Sequence, residues 1–419
     1  MNISSSNKNF DVLVVGGGAG GIGVASMLLK RKASLSVAVI EPSEFHYYQP
    51  AWTLVGGGTY SQEKTRKQES EVMPQGATWI KAKASQFEPD AKAVVLEDGS
   101  RITYGHLVVA AGLQLNWSKI AGLEETLGKN GVTSNYRYDL APYTWECIGK
   151  LKSGAALFTQ PAMPIKCAGA PQKIMYLAAD EFRRRGVKAE VSFFSPGGAM
   201  FGVPFYSDAL DKVVEDYGIH KKFAHSLIAV DGPNRKATFE VVDKGVKTQV
   251  AIDFQMLHVV PPQSAPDFIR NSPLADPSGW LAVDKFTLEH TQYPDIYGLG
   301  DCTTTPNSKT AAAVKNQVPV VVENLLRAID GKEPIARYDG YASCPLTTSR
   351  GKIMLAEFCY DGVVTPSFPL DPRVPRRSYW WLKKSFLPFL YWKIVVPGRT
   401  WPITHKKRDF PAEVPAIAP

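Results

Sequence analysis

Apolar positions along this chain alternate between two kinds of segment. Compact runs of β-branched and aliphatic residues have strand length: Asp11-Val12-Leu13-Val14-Val15, Ser36-Val37-Ala38-Val39-Ile40, His106-Leu107-Val108-Val109, and the stretches 155–158 and 189–194. Longer stretches with helical spacing lie at 22–32, 171–185 and 311–328; in the second, Ile174, Leu177, Ala178 and Phe182 fall on one face. Strand and helix alternate near the N-terminus and again over 154–255, so the pattern predicts two α/β units. With 419 residues the chain can form two or three domains and bury a large ligand.

The first unit carries a nucleotide signature. Gly16-Gly17-Gly18-Ala19-Gly20-Gly21 follows the first strand directly, and Gly16, Gly18 and Gly21 satisfy G-x-G-x-x-G. The first glycine permits the tight turn, the second lets backbone approach a pyrophosphate, and the third allows close helix packing. The pyrophosphate would lie on the helix N-terminus. The next strand ends in Glu41, where a carboxylate can accept from both ribose hydroxyls. A glycine turn without a ligand is the plain alternative, and the strand, helix and terminal acid in register argue against it. FAD and NAD share this segment. The return strand ending in Ala110-Ala111-Gly112 and the segment Tyr293-Pro294-Asp295-Ile296-Tyr297-Gly298-Leu299-Gly300-Asp301-Cys302 look like those of glutathione-reductase-like flavoproteins, where the aspartate binds the ribityl chain. Gly300-Asp301 alone could be a surface turn. Helix 311–328 follows, and in that fold its positive end points at the flavin pyrimidine. FAD is the favoured cofactor. The long separation of the two motifs is expected if a second domain is inserted into the first.

That second unit lacks a nicotinamide loop. Its strand-to-helix turn is Gln160-Pro161-Ala162-Met163-Pro164-Ile165-Lys166-Cys167, and two prolines with a cysteine do not cradle a phosphate. Cys167 stands just before a helix and beside Lys166, both of which favour a thiolate. An isolated cysteine is usually small core filler; this one occupies the empty nucleotide turn. The other cysteines are Cys147, Cys302, Cys344 and Cys359. So few, odd in number and widely spaced, they speak against a structural disulfide framework and against a zinc cluster, and no metal is expected.

Several segments make the chain resemble the sulfide:quinone oxidoreductase family, within the branch that includes the mitochondrial enzyme of animals. They are Tyr47-Tyr48-Gln49-Pro50-Ala51-Trp52-Thr53-Leu54-Val55-Gly56, Lys166 through Leu177, Gly300-Asp301-Cys302 with Ser308-Lys309-Thr310-Ala311-Ala312-Ala313, and Tyr338-Asp339-Gly340-Tyr341-Ala342-Ser343-Cys344-Pro345-Leu346. The resemblance implies two Rossmann-like domains of the glutathione-reductase flavoprotein type. It implies that Cys167 and Cys344 form the redox pair: HS⁻ attacks the bridged cysteines, leaving a persulfide on Cys344 and a thiolate on Cys167, which reduces FAD at its C4a position. An acceptor such as sulfite, glutathione or another sulfide then removes the sulfane sulfur, and reduced flavin passes two electrons to ubiquinone or menaquinone. The family's flavin contacts carry over onto Ala19, Gly20, Glu41, Gln49, Ala84, Asp301 and Lys309, beside Gly16, Gly18 and Gly112 of the motifs. Cys147, on an amphipathic helix, is expected to be structural; so is Cys359, on a strand. Cys302 has no redox role assigned.

Charge concentrates at the C-terminal end. The chain carries a net charge of +8, and after Asp371 no carboxylate appears until Asp409. Arg373, Arg376, Arg377, Lys383, Lys384, Lys393, Arg399 and 406–408 are interleaved there with Tyr379, Trp380, Trp381, Phe386, Phe389, Tyr391, Trp392 and Trp401. This is the composition of a segment lying in a membrane interface. The apolar stretch 386–396 is too short to span, a crossing needing roughly 20 residues. A plain docked element is the alternative. Nucleic-acid binding is disfavoured by the breaks at Pro388 and Pro397 and by the absence of a recognisable module. The expected divisions are a first FAD-binding part at 10–150, a second Rossmann-like domain at 151–284, completion of the FAD domain at 285–345 and a membrane and quinone region at 346–419. Residues 1–10 show neither a secretory nor a transit pattern, so the expected location is the cytoplasmic face of a bacterial inner membrane, with the mitochondrial inner membrane as alternative. A homodimer is left open. The alternatives are a type II NADH:quinone dehydrogenase, which needs the missing nicotinamide loop, and a non-enzymatic flavin-binding scaffold, which gives the cysteines no role.

Overall fold

The computed structural model describes residues 8–400 and 405–415; most of the segment 1–10 and Trp401 of the tail fall outside them. Strands Ala77–Ile80, Val37–Ile40, Lys8–Val15, Arg101–Val109 and Ile296–Gly298 lie side by side and parallel. The antiparallel strands Ala93–Leu96 and Ala84–Glu88 extend the sheet beside Arg101–Val109 to seven. Val12, Leu13, Val14, Leu107, Val108 and Val109 are fully buried. Their continuous apolar runs are what a parallel sheet covered on both faces requires. Helices Ala19–Arg31 and Ala311–Ile329 cover one face; the apolar groups of 265–283 help cover the other.

The inserted half has its own parallel sheet, in the order Val132–Thr133, Met256–His258, Ser153–Thr159, Lys188–Ser195 and His220–Phe223. Its edge strand Val132–Thr133 lies inside the 10–150 segment and pairs with the second sheet, so the crossover precedes the expected division at 150. Only two residues long, that strand carries no periodic pattern that could mark it. Helix Ala170–Arg184 packs against this sheet with Ile174, Leu177, Ala178 and Phe182 buried.

A hairpin, Ala342–Ser349 with Lys352–Phe358, packs its Cys344, Leu346, Met354 and Ala356 into the core of the inserted half. It places two cysteines that are 177 residues apart in sequence beside one helix. Beyond it, 377–395 runs helically as Arg377–Trp381, a widened π-type turn Leu382–Phe386, Leu387–Leu390, and a second such turn Tyr391–Val395. Pro388 does not break this run as expected. It sits in the first turn of Leu387–Leu390, directly after the widened turn, where a missing N–H is tolerated.

The end of the tail is fastened to the protein. Ser26 Oγ donates to Val396 O at 2.9 Å, and Lys30 Nζ to Pro397 O at 2.5 Å. Arg373 Nη2 donates to Pro411 O and Lys212 Nζ to Val414 O, so 405–415 returns across the inserted half. Two tail cations expected to meet lipid are turned inward: Arg373 pairs with Asp371, and Lys383 is buried. Among the described residues no helix is long and apolar enough to cross a membrane.

Candidate active site

A cavity of about 910 Å³ runs from the N-terminal glycine turn, past Cys167, to the C-terminal helices. At its nucleotide end the backbone is built for close approach. Gly16 has φ +106°, and a Cβ there would stand 2.6 Å from Ala110 O; a Cβ on Gly21 would meet Gly16 O at 1.8 Å. A Cβ on Gly18 would point into open space, the side from which a pyrophosphate can come.

Glu41 Oε2 accepts from Gly17 N–H at 2.7 Å and Oε1 from Ser43 N–H at 2.8 Å. Burial raises its pKa, and these two donors oppose the rise. Spare lone pairs on this carboxylate, and the buried, unpartnered Oε1 of neighbouring Glu69, are acceptors that ribose hydroxyls can satisfy. Further along, Gly300, Asp301, Lys309, Thr310 and Ala311 line the same cavity. Thr310 Oγ1 caps its helix by accepting from Ala313 N–H at 3.2 Å, and the N-terminus of that helix faces the cavity. Lys309 Nζ donates to Thr303 O at 2.9 Å and lies 4.2 Å from the centre of the Trp280 ring. Burial pushes Asp301 up, opposed by Lys309 and Lys166, and burial lowers Lys309. An elongated cavity with a glycine turn and acid at one end and a helix N-terminus with a buried cation at the other fits FAD, the cofactor of this fold.

Cys167 and Cys344 meet beside that cavity, with Sγ atoms 3.4 Å apart. The Cys167 backbone is strained: φ is +53°, a region that costs a non-glycine residue on the order of 1 kcal/mol. Its N–H donates to Lys309 O at 2.8 Å, and its carbonyl accepts from Ala170 N–H at 2.7 Å. These bonds hold the turn in place and tie the cysteine to the segment that carries Asp301. Cys344 is fully buried on the hairpin behind it. The approach of helix to hairpin depends on Gly169, because a Cβ there would stand 2.6 Å from Cys344 Sγ and 2.4 Å from Leu346 Cδ2.

The charge at the pair comes chiefly from two residues that sequence reading missed. Lys166 acts on Cys167 through its charge and is not bonded to it; its ammonium bonds Gln49 Oε1 and lies near the Trp52 and Tyr136 rings. Lys173, one helical turn into Ala170–Arg184, donates to Cys167 Sγ at 3.0 Å. The Cys167 thiol is held well below the ordinary thiol range, first by the hydrogen bond from Cys344 and, against burial, by the Lys173 ammonium. Cys344 keeps the proton it donates and is pushed well above that range. Burial alone would lower Lys173; the two sulfurs facing it raise it instead. Lys383 reaches in from the tail, donates to Pro345 O at 3.3 Å, and is lowered to about 7 by burial and by Lys173.

Of the residues expected to hold FAD, Gly16, Gly18, Ala19, Gly20, Glu41, Gln49, Gly112, Asp301 and Lys309 line the cavity. Ala84 lies on the outer antiparallel strand Ala84–Glu88 and does not. Cys147 is buried on helix Ala141–Lys150 with its thiol pushed up to about 11, and Cys302 is fully buried with a similar rise, both caused first by burial. Cys359 falls one residue past strand Lys352–Phe358. The far wall of the cavity is Leu382, Phe386, Leu387, Leu390 and Val395 of the tail, while Trp381 and Phe389 project outward, 62% and 54% exposed.

Residues 10–143 match the family model described as pyridine nucleotide-disulphide oxidoreductase. The chain is 46% identical to the mitochondrial sulfide:quinone oxidoreductase of Dictyostelium discoideum over 93% of its own length and 86% of that protein. It is 41% identical to the mouse mitochondrial enzyme of the same name, over 94% and 88% of the two chains. The solved sulfide:quinone oxidoreductase of Aquifex aeolicus superposes with a TM-score of 0.76 at 21% identity, over 94% of this chain and 92% of that one, and so shares the fold. By its identity to full-length relatives, the chain belongs to the sulfide:quinone oxidoreductase family.

Proposed function

We propose that the chain oxidises sulfide through a disulfide and persulfide cycle on Cys167 and Cys344, delivers two electrons through FAD to a membrane quinone, and hands the sulfane sulfur to a nucleophilic acceptor. The observation that carries this reading is the pair of sulfurs 3.4 Å apart beside the nucleotide cavity, with Lys173 on one of them. A disulfide needs about 2.05 Å, so a modest side-chain movement makes or breaks the bond.

In the oxidised pair, HS⁻ attacks Cys344 Sγ; the new S–S bond replaces the old one, and the pair of electrons leaves on Cys167. The Lys173 ammonium stabilises that leaving thiolate, and a more stable thiolate leaves faster. Lys383, lowered to about 7, can hold or release a proton near the sulfurs at neutral pH. Removal of the outer sulfur by sulfite, glutathione or a second sulfide leaves a thiolate on Cys344. Closing the bridge then releases two electrons, for which FAD held in the cavity would supply the two-electron relay to quinone. The glycine turn, Glu41, Gln49, Asp301 and Lys309, which line that cavity, would hold it.

The apolar wall formed by the tail supports entry of ubiquinone or menaquinone from lipid, and the outward Trp381 and Phe389 support peripheral attachment there. The relatives' names favour the mitochondrial inner membrane over the cytoplasmic face of a bacterial one. A nicotinamide donor is disfavoured, because Pro161, Pro164 and Cys167 fill the turn its phosphates would need.

Anaerobic addition of sulfide to the FAD-loaded protein should bleach the flavin absorbance while NADH leaves it unchanged. Rapid bleaching by NADH would overturn the proposal. Cys167→Ser and Cys344→Ser should each abolish sulfide-dependent quinone reduction with FAD retained, and Cys147→Ser should remain active.

A further inference from the structure

We infer that Asp339, Cys359 and His405 form a binding site for zinc(II) that clamps the C-terminal tail to the hairpin. The three come from separate stretches of chain, and none lines the FAD cavity. Asp339 precedes the hairpin, Cys359 follows its second strand, and His405 lies in the tail beyond the cavity-lining helices. One ligand atom from each falls within 4.8 Å of the other two.

The groups are held by their surroundings. Asp339 Oδ1 accepts from Tyr341 N–H at 3.0 Å, which leaves Oδ2 turned toward His405 Nε2 at 2.7 Å. The imidazole stacks on the Tyr341 ring with centres 4.2 Å apart. Cys359 is fixed by its N–H, which donates to Val363 O at 2.9 Å, and its Sγ lies 3.4 Å from Thr365 Oγ1. Fixed ligands with supporting contacts are what a metal site requires.

An ordinary Asp–His pair accounts for part of this cluster. It does not require a thiol within reach of both groups. A thiolate, an imidazole and a carboxylate together suit zinc, whereas calcium and magnesium prefer oxygen throughout. Bond lengths of about 2.0–2.3 Å to a tetrahedral ion set its ligands roughly 3.3–3.6 Å apart. Asp339 Oδ2 and His405 Nε2, 2.7 Å apart, stand closer than that, so the ion would part them slightly, and Cys359 Sγ lies within 4.8 Å of both. Water would complete the fourth position. Spacing rules based on paired cysteines cannot reveal such a site, because its single cysteine is far in sequence from its histidine.

The test uses the full-length, FAD-loaded protein in a Cys167→Ser/Cys344→Ser background, so that the redox pair cannot take the ion, and it omits sulfide, which precipitates zinc. After equilibration with zinc chloride and gel filtration, about one zinc per chain should be retained. Cys359→Ser and His405→Gln should each lose it while keeping bound FAD, the sign that the variant is folded. Cobalt(II) in place of zinc should add a thiolate-to-cobalt charge-transfer band that Cys359→Ser removes. No retained zinc, or zinc retention and a cobalt spectrum both unchanged by Cys359→Ser, would overturn the assignment.

Discussion

Lys173 Nζ stands 3.0 Å from Cys167 Sγ, inside a helix whose first turn begins only three residues after that cysteine. A hydrogen bond to a charged group is worth about 1.5–3 kcal/mol, or roughly one to two pKa units. Lys173→Met removes a donor that favours the thiolate, so the Cys167 pKa should rise. At neutral pH less thiolate is then present. Alkylation of reduced protein by iodoacetamide, followed across pH, should show its midpoint displaced upward; an unmoved midpoint would mean that Cys344 alone sets the thiolate.

How much of this was legible in the sequence depended on whether local order carried the signal. The strand Lys8–Val15, its glycine turn and Glu41 form one contiguous pattern, and each lies where that pattern predicts. Lys173 was hidden because its meeting with Cys167 depends on a left-handed turn at the cysteine, which no periodicity announces. Lys383 resembled every other cation of the tail. Only the packing of the tail helices shows that it faces sulfur while Trp381 faces outward. Lys166, adjacent in sequence, acts on Cys167 through its charge while its ammonium ends on Gln49, a partner that adjacency does not announce.

Gly169 sets how closely the two cysteine-bearing elements approach. A Cβ there meets Cys344 Sγ at 2.6 Å and Leu346 Cδ2 at 2.4 Å, contacts that force the hairpin to shift. Overpacking of a core by one methyl group typically costs about 1–3 kcal/mol. Gly169→Ala should therefore lower the melting temperature and, by spreading the sulfurs, depress sulfide oxidation more than it depresses FAD content. Wild-type turnover in a protein carrying this substitution would show that the spacing of the pair is not limiting.

Attachment to lipid should depend on a few outward aromatics more than on the count of tail cations. Trp381 and Phe389 are 62% and 54% exposed, and burying such a side chain is worth about 1.5–3 kcal/mol. The double variant Trp381→Ser/Phe389→Ser should bind anionic vesicles at least tenfold more weakly in co-sedimentation, with reduction of a water-soluble quinone analogue largely retained. Undiminished vesicle binding would place the membrane face elsewhere.

Lys383 should make stability depend on pH in a direction that can be worked out. Its pKa falls from 10.5 in the unfolded chain to about 7 in the folded protein, first through burial and then through Lys173. Between those values the unfolded chain binds the extra proton, so stability rises with pH across about 7 to 10.5. At about 1.4 kcal/mol per unit, the full shift costs on the order of several kcal/mol below pH 7. Lys383→Met keeps the length and removes the charge. Its melting temperature should exceed that of the wild type most at pH 6–7, and the difference should close as pH approaches 10.5. A difference independent of pH would mean that the ammonium stays charged in the folded protein and that its proton is not exchangeable near the sulfurs at neutral pH.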